Sequence, residues 1–264
     1  MLFAVDIGNT NIVLAVFDGD TIVREWRIAT DARRTGDEYT SIILSLLRNE
    51  DYTFSRAVIS SVVPALIGPF VTVAQNVCRV QPLVISTDPE LMKKLPVKLP
   101  ENSTRELGTD LLCNAVAART LFKGKASIAV DFGTALTLTF TDSDGTILGG
   151  TISPGLGTAI KALATSAAQL PFVPLEAPST SIGRTTKEAI QAGVVLGYKG
   201  LVENLVKQVK EDFFKLKGKE EEVCVVATGG LNSVLKPITD CFTVVDKDLT
   251  LKGLKLISDF TQKQ

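Results

Sequence analysis

The chain opens on short apolar runs separated by compact polar turns. Leu2 to Ile7 is a β-branched, apolar run, followed by Gly8-Asn9-Thr10-Asn11 and a second run from Ile12 to Phe17. Asp18-Gly19-Asp20 then turns the chain into a third run, Thr21 to Ile28. Apolar runs of strand length punctuated by Gly, Asn and Asp predict strands joined by hairpins. The same order returns about half the chain later. Ala126 to Val130 ends at Asp131, Phe132-Gly133-Thr134-Ala135 makes the turn, and Leu136 to Thr141 resumes as strand. Asp142-Ser143-Asp144-Gly145 turns again into Thr146 to Ile152. Self-similarity at this spacing predicts two domains of one architecture, 1–120 and 121–264.

Longer periodic segments follow each opening. In the first half, Asp37 to Arg48, Ala65 to Cys78 and Leu107 to Phe122 predict helices, with strands at Ala57 to Val62 and Leu83 to Ile85. In the second half, Thr158 to Ala168, Thr186 to Phe214 and Thr250 to Phe260 predict helices, and Val223 to Ala227 a buried strand. Pro171 to Gly183 reads as an ordered loop, and Lys215 to Glu222 as a solvated charged turn. Three hairpin-linked strands followed by alternating helix and strand, present twice, form the pattern of the duplicated ribonuclease H-like fold. The expected class is therefore α/β, actin-like (ASKHA), with two domains and a nucleotide in the interdomain cleft.

Composition narrows the chemistry. The 264 residues contain no histidine. That excludes Ser-His-Asp and Cys-His catalysis and every His-ligated metal site, and leaves Asp, Glu or a perturbed Lys, Tyr or Cys as a general base. Net charge is −1, with Lys and Arg spread along the chain, so a nucleic-acid-binding face is not expected. Met1 to Val5 runs into Asp6 as a strand rather than a signal peptide, and no apolar stretch is long enough to span a bilayer. Cys78, Cys113, Cys224 and Cys241 have no metal-binding spacing and read as buried thiols of a reducing, cytoplasmic compartment.

The turns carry the candidate chemistry. In Asp6-Ile7-Gly8-Asn9-Thr10-Asn11, Gly8 lets the main chain approach a phosphate, successive N–H groups and the Thr10 hydroxyl can donate to it, and Asp6 can hold Mg²⁺ through water. A hairpin whose Asn and Gly merely satisfy turn dihedrals is the alternative. The partner turn, Asp131-Phe132-Gly133-Thr134, favours a phosphate clamp, because duplication sets two such turns face to face. Ala227-Thr228-Gly229-Gly230-Leu231 offers flat access for adenine and ribose, although paired glycines between strand and helix also serve plain packing. Neither G-x-x-x-x-G-K-[ST] nor a G-x-G-x-x-G after a strand is present, which argues against P-loop and dinucleotide enzymes.

Taken together, the motifs resemble the type III pantothenate kinases. The likeness runs through Asp6 to Asn11, Ile59-Ser60-Ser61-Val62-Val63-Pro64, Glu106-Leu107-Gly108-Thr109-Asp110 and Asp131 to Ala135. It continues through Gly149 to Gly155, Leu170-Pro171, Gly183-Arg184-Thr185-Thr186 and Ala227 to Leu231. The resemblance implies ATP-dependent phosphorylation of pantothenate, with ATP contacted by Asp6, Ile7, Gly8, Asn9, Thr10, Asn11, Ile12, Val13 and Thr134. Asp110 would be the general base, and Asp131 would help bind K⁺ or NH₄⁺. Gly108, Thr109, Asp110, Leu111 and Thr186 would line the pantothenate pocket of a homodimer. By residue type alone, Asp110 reads as a capping or solvated residue and Thr186 as a helix N-cap.

The chain departs from the family pattern on the substrate side. Leu111 stands where the family carries Arg, Glu101 falls at the place of a pocket Tyr, and Leu136 and Thr139 replace a Thr and an Asp after the second phosphate turn. Two cations could meet the pantothenate carboxylate instead: Arg105, just before the Gly-Thr-Asp turn and the favoured one, and Arg184, two residues before Thr186. An active kinase, a relative acting on another alcohol and a non-catalytic nucleotide-binding regulator are the readings that follow.

Overall fold

Phe3, Val5 and Ile7 alternate with Leu2, Ala4 and Asp6, and all except Asp6 are buried, so Leu2–Ile7 (β1) is a central strand covered on both faces. In the computed structural model, which describes residues 1–48, 50–100, 107–167, 169–218, 221–230 and 232–262, β1 pairs antiparallel with Asn11–Asp18 (β2). Thr21–Ala29 (β3) continues the hairpin series. After helix Gly36–Leu46 (α1), strand Arg56–Ser61 (β4) lies parallel to β1 on its other side. Helix Ile67–Cys78 (α2) returns the chain to Leu83–Val84 (β5), which is parallel to β4. The sheet order is β3-β2-β1-β4-β5.

A four-residue helix, Pro89–Met92 (α3), and helix Thr109–Leu121 (α4) lead to the second sheet. Ala126–Phe132 (β6), Ala135–Thr141 (β7) and Ile147–Pro154 (β8) repeat the antiparallel series. Helices Leu156–Ser166 (α5), Thr186–Gln191 (α6) and Gly197–Lys217 (α7) precede Val223–Thr228 (β9), which is parallel to β6. Helix Asn232–Leu235 (α8), strand Val244–Val245 (β10) and helix Leu249–Gln262 (α9) complete the chain. The order β10-β9-β6-β7-β8 reproduces the first sheet strand for strand, as the repeat in the sequence predicts.

The chain divides into two compact units, Met1–Ala117 with Leu249–Gln264, and Ala118–Asp248. This differs from the expected second domain, 121–264, because α9 belongs with the first sheet. Leu254 and Ile257 are wholly buried, and α9 packs on β1 and β4. Its hold is also polar: Thr250 Oγ1 donates to Asn114 Oδ1 at 2.8 Å, and Asp259 pairs with Arg56 of β4 at 2.8 Å. Gly253 lies against the Cys113 main chain of α4, where any Cβ would collide with backbone.

In the first unit, Phe3, Val5, Ile12 and Leu14 pack beneath Tyr39 and Ile43 of α1 and Phe70 and Val73 of α2. The capping box of Thr35 and Glu38 starts α1. In the second unit, Ile128, Val130, Phe132, Leu136 and Leu138 pack against Leu156 of α5 and Val202 and Val206 of α7. The predicted helix 186–214 is present but contains a π-helical turn, Ala192–Leu196, and runs on to Lys217. That extension corrects the expected solvated turn. Lys217 pairs with Asp142, which is only 3% exposed, and ties the last turn of α7 to the β7–β8 hairpin.

Candidate functional site

The β1–β2 turn is closed by Gly8 N–H donating to Asn11 O at 3.0 Å. It is braced by Thr30, whose Oγ1 donates to Gly8 O at 2.7 Å and whose N–H donates to Thr10 O at 3.0 Å. A Cβ on Gly8 would sit 3.0 Å from Asn11 O, so glycine keeps this turn tight. Asn9 and Thr10 are exposed at the tip, whereas Ile7 and Ile12 are wholly buried in the core. Those two isoleucines can meet a ligand only through their main chain. Asp6, at the end of β1, is partly buried and stands opposite Ser60 of β4 in register.

Ser60 and Ser61, at the end of β4, receive the start of α4. Thr109 Oγ1 lies 2.9 Å from Ser60 Oγ, accepts the Ser61 N–H at 3.1 Å and donates to Ser61 O at 3.1 Å. The next residue is Asp110. Its carboxylate folds back onto the helix and accepts the Leu111 N–H at 2.8 Å, and Leu112 N–H donates to Gly108 O at 3.0 Å as the helix begins. Burial pushes the Asp110 carboxyl above its ordinary range, opposed by main-chain N–H groups at Leu111 and at Asp110 itself. Cys113, one turn on, is wholly buried, and burial together with the charges of Asp6 and Asp110 raises its thiol well above the usual value. A partly buried carboxyl with a raised pKa at a helix start suits proton abstraction at neutral pH better than a fully exposed one.

The second unit has a turn of the same kind. Gly133 N–H donates to Ala135 O at 3.1 Å. Thr134 O accepts Gly155 N–H at 2.9 Å and Thr158 Oγ1 at 2.7 Å, so the start of α5 is drawn against the turn. Gly155 has to be glycine, because a Cβ there would run into the Gly133 and Thr134 carbonyls. Asp131 stands opposite Thr228 of β9 in register. Gly229, at φ +87°, lies on it: a Cβ would fall 2.7 Å from Asp131 Oδ1 and 2.7 Å from both Phe132 N and Phe132 O. Gly230 has open space around it.

The type III pantothenate kinase family model matches residues 2–208. A type III pantothenate kinase from Paramagnetospirillum magneticum is 43% identical over 258 residues, covering 96% of this chain and 95% of that one. Another, from Exiguobacterium sp., is 38% identical over 266 residues and covers 100% of both chains. The chain belongs to the type III pantothenate kinase family. A protein assigned as a 2-dehydro-3-deoxygalactonokinase from Sinorhizobium meliloti shares the duplicated actin-like fold, with a TM-score of 0.57 at 13% identity and 100% coverage of each chain.

Within this family member, the residues expected to serve the site divide between the two units. Asp6 to Val13 and Gly108 to Leu111 fall in the first, and Asp131, Thr134, Gly229, Gly230 and Thr186 in the second. Asp6 and Asp110 lie in the same unit, and the charges of both raise the Cys113 thiol. Thr109 has its hydroxyl engaged with Ser60 and Ser61 rather than free. Thr186 is exposed in the first turn of α6 and is not its cap: Thr185 accepts the Glu188 N–H at 3.2 Å, and Glu188 reaches back to the Arg184 and Thr185 N–H groups. Thr186 lies in a groove of about 540 Å³ formed with Leu163, Gly183, Ile190 and Val194. Glu101, Arg105, Glu106 and Leu231 lie outside the described residues.

Sequence reasoning passed over Ser60, Cys113, Gly155 and Thr158. Ser60 and Gly155 sit inside motifs that carry the family likeness, but a hydroxyl in a strand and a glycine before a helix have no distinctive spacing of their own. Thr139, at the position of a family Asp, is 1% exposed, and its hydroxyl has no hydrogen-bond partner among the described residues.

Proposed function

We propose that this chain transfers the terminal phosphate of ATP to the hydroxyl of pantothenate, giving 4'-phosphopantothenate, the first step of coenzyme A biosynthesis. Asp110 is the general base. As the pantothenate oxygen bonds to the γ-phosphorus and the bond to the β-phosphate oxygen breaks, the hydroxyl proton passes to the Asp110 carboxylate and ADP leaves. The observation that carries this reading is the Asp110 carboxyl, folded over the first turn of α4 and raised by burial, in a chain that has no histidine to take its place.

Main-chain N–H groups at the tip of the β1–β2 turn contact phosphate oxygens of ATP, the Gly8 N–H being committed to Asn11 O, and Thr134 is a further ATP contact. Asp6 and Asp131 would each offer one carboxylate to a hard cation that phosphate oxygens also hold. Asp6 takes Mg²⁺ accompanying ATP, and Asp131 takes K⁺ or NH₄⁺. Such ions neutralise charge on the transferring group. The chain works as a cytoplasmic homodimer. Free Cys78, Cys113, Cys224 and Cys241 suit a reducing compartment, and no described helix is long and apolar enough to cross a membrane.

The test is an ADP-coupled assay with and without pantothenate, run in K⁺ and in Na⁺. ADP release that requires pantothenate and is faster in K⁺ supports the reading; release indifferent to pantothenate overturns it. Leu111 favours a second reading, a related alcohol lacking the carboxylate, since its side chain cannot pair with an anion. Pantothenol turned over far better than pantothenate would establish that substrate.

A further inference from the structure

We infer that Ser60 is a positioning residue for the phosphoryl transfer, which together with the Thr109 hydroxyl fixes the start of α4, and so the base, against the strand pair that carries the phosphate turn. The inference rests on Asp110 being the base.

Ser60 is wholly buried in β4, and its hydroxyl lies 2.9 Å from the Oγ1 of Thr109, the first residue of α4. Thr109 O–H donates to Ser61 O while its oxygen accepts the Ser61 N–H, so Ser60 O–H is the donor to Thr109 Oγ1. Each hydrogen bond polarises the next, which makes such a chain stiffer than its separate members.

The register supplies the other half of the argument. Ser60 is the β4 partner of Asp6, and Asp6 opens the turn assigned to ATP. The path from that turn to the base is therefore one cross-strand step, one pair of hydroxyls and one residue of helix. Asp110 Oδ1 accepts the Leu111 N–H, so the carboxylate travels with the start of α4. A shift of about 1 Å in a reacting group is enough to lower turnover about 10²-fold.

The expected result is that Ser60→Ala and the isosteric Thr109→Val each lower kcat by about 10- to 100-fold with the Kd for ATP within about threefold, and that Ser60→Ala also leaves the KM for pantothenate within about threefold. Thr109→Ser, which keeps the oxygen, restores kcat to near wild type. The double variant is no worse than either single one, because both remove the same link. ATP binding by calorimetry certifies that each variant is folded. Wild-type kcat in Ser60→Ala and Thr109→Val, with Asp110→Asn inactive, overturns the positioning role and leaves the base. If Ser60→Ala fails to bind ATP, the Thr109→Val and Thr109→Ser pair decides the matter alone. Near wild-type turnover in Asp110→Asn overturns both.

Discussion

Gly108 makes room for the carboxylate of Asp110: a Cβ at position 108 would stand 2.5 Å from Asp110 Oδ1 and 3.8 Å from Leu111 Cγ. The main chain at Gly108 is not in the left-handed region, so alanine fits its backbone. The conflict is with the far end of one side chain, which can move at little cost. Gly108→Ala should therefore leave the fold within about 1 kcal/mol of wild type while lowering kcat by about 10- to 100-fold, through displacement of the base. Urea unfolding and steady-state kinetics on the same preparation separate the two effects. A variant that loses stability and keeps its kcat contradicts the assignment.

Asp110 itself has a linked signature in activity and stability. Burial raises its pKa, so kcat/KM should rise with pH through a value above the ordinary carboxylate range. Asp110→Asn should lower kcat by about 10²- to 10⁴-fold. For stability the sign follows from linkage. A carboxyl whose pKa is higher folded than unfolded contributes most below its unfolded value, and that contribution is lost as pH rises through the folded value. Asp110→Asn, which does not ionise, should then melt above wild type at neutral pH, with the gap closing towards acid. Scanning fluorimetry from about pH 4 to about pH 8 checks this, and a gap independent of pH would show that the carboxyl is not held out of water.

Gly229 and Gly230 are adjacent but should respond in opposite ways. At φ +87°, with Asp131 Oδ1 and the Phe132 main chain each 2.7 Å from a new Cβ, Gly229→Ala has no room and strains the backbone. A loss of about 2–4 kcal/mol is expected. Gly230→Ala meets nothing within 4 Å and should stay within about 1 kcal/mol. Chemical denaturation of the two variants decides whether Gly229 is there for contact with β6 or for access to a nucleotide.

Replacing K⁺ by Na⁺ or Li⁺ at constant ionic strength should slow the enzyme, and Asp131→Asn should remove most of that salt preference while lowering kcat by about 10²-fold. Initial rates in the three chlorides are the measurement. Equal rates for the wild-type enzyme would assign Asp131 to packing under Gly229 instead.

Local pattern was enough for most of the fold. Apolar alternation and the Gly8, Gly19, Gly133 and Gly145 turns mark both hairpin series, and their repetition reveals two copies of one sheet order before any contact is known. The absence of histidine leaves a carboxylate or a perturbed Lys, Tyr or Cys for the base, and the family resemblance is what singles out Asp110. These are properties of neighbours along the chain, and periodicity reports which side of an element is covered. It does not report what covers it. That α9 closes the first unit rather than the second, that Lys217 is spent on buried Asp142, and that Ser60 meets Thr109 across 49 positions were all decided by tertiary contact. So was the need for glycine at 155 and 253, since each makes way for main-chain atoms contributed by the surrounding fold. A two-residue strand such as Val244–Val245 is too short to show a period at all, and exists because β9 offers it a parallel edge.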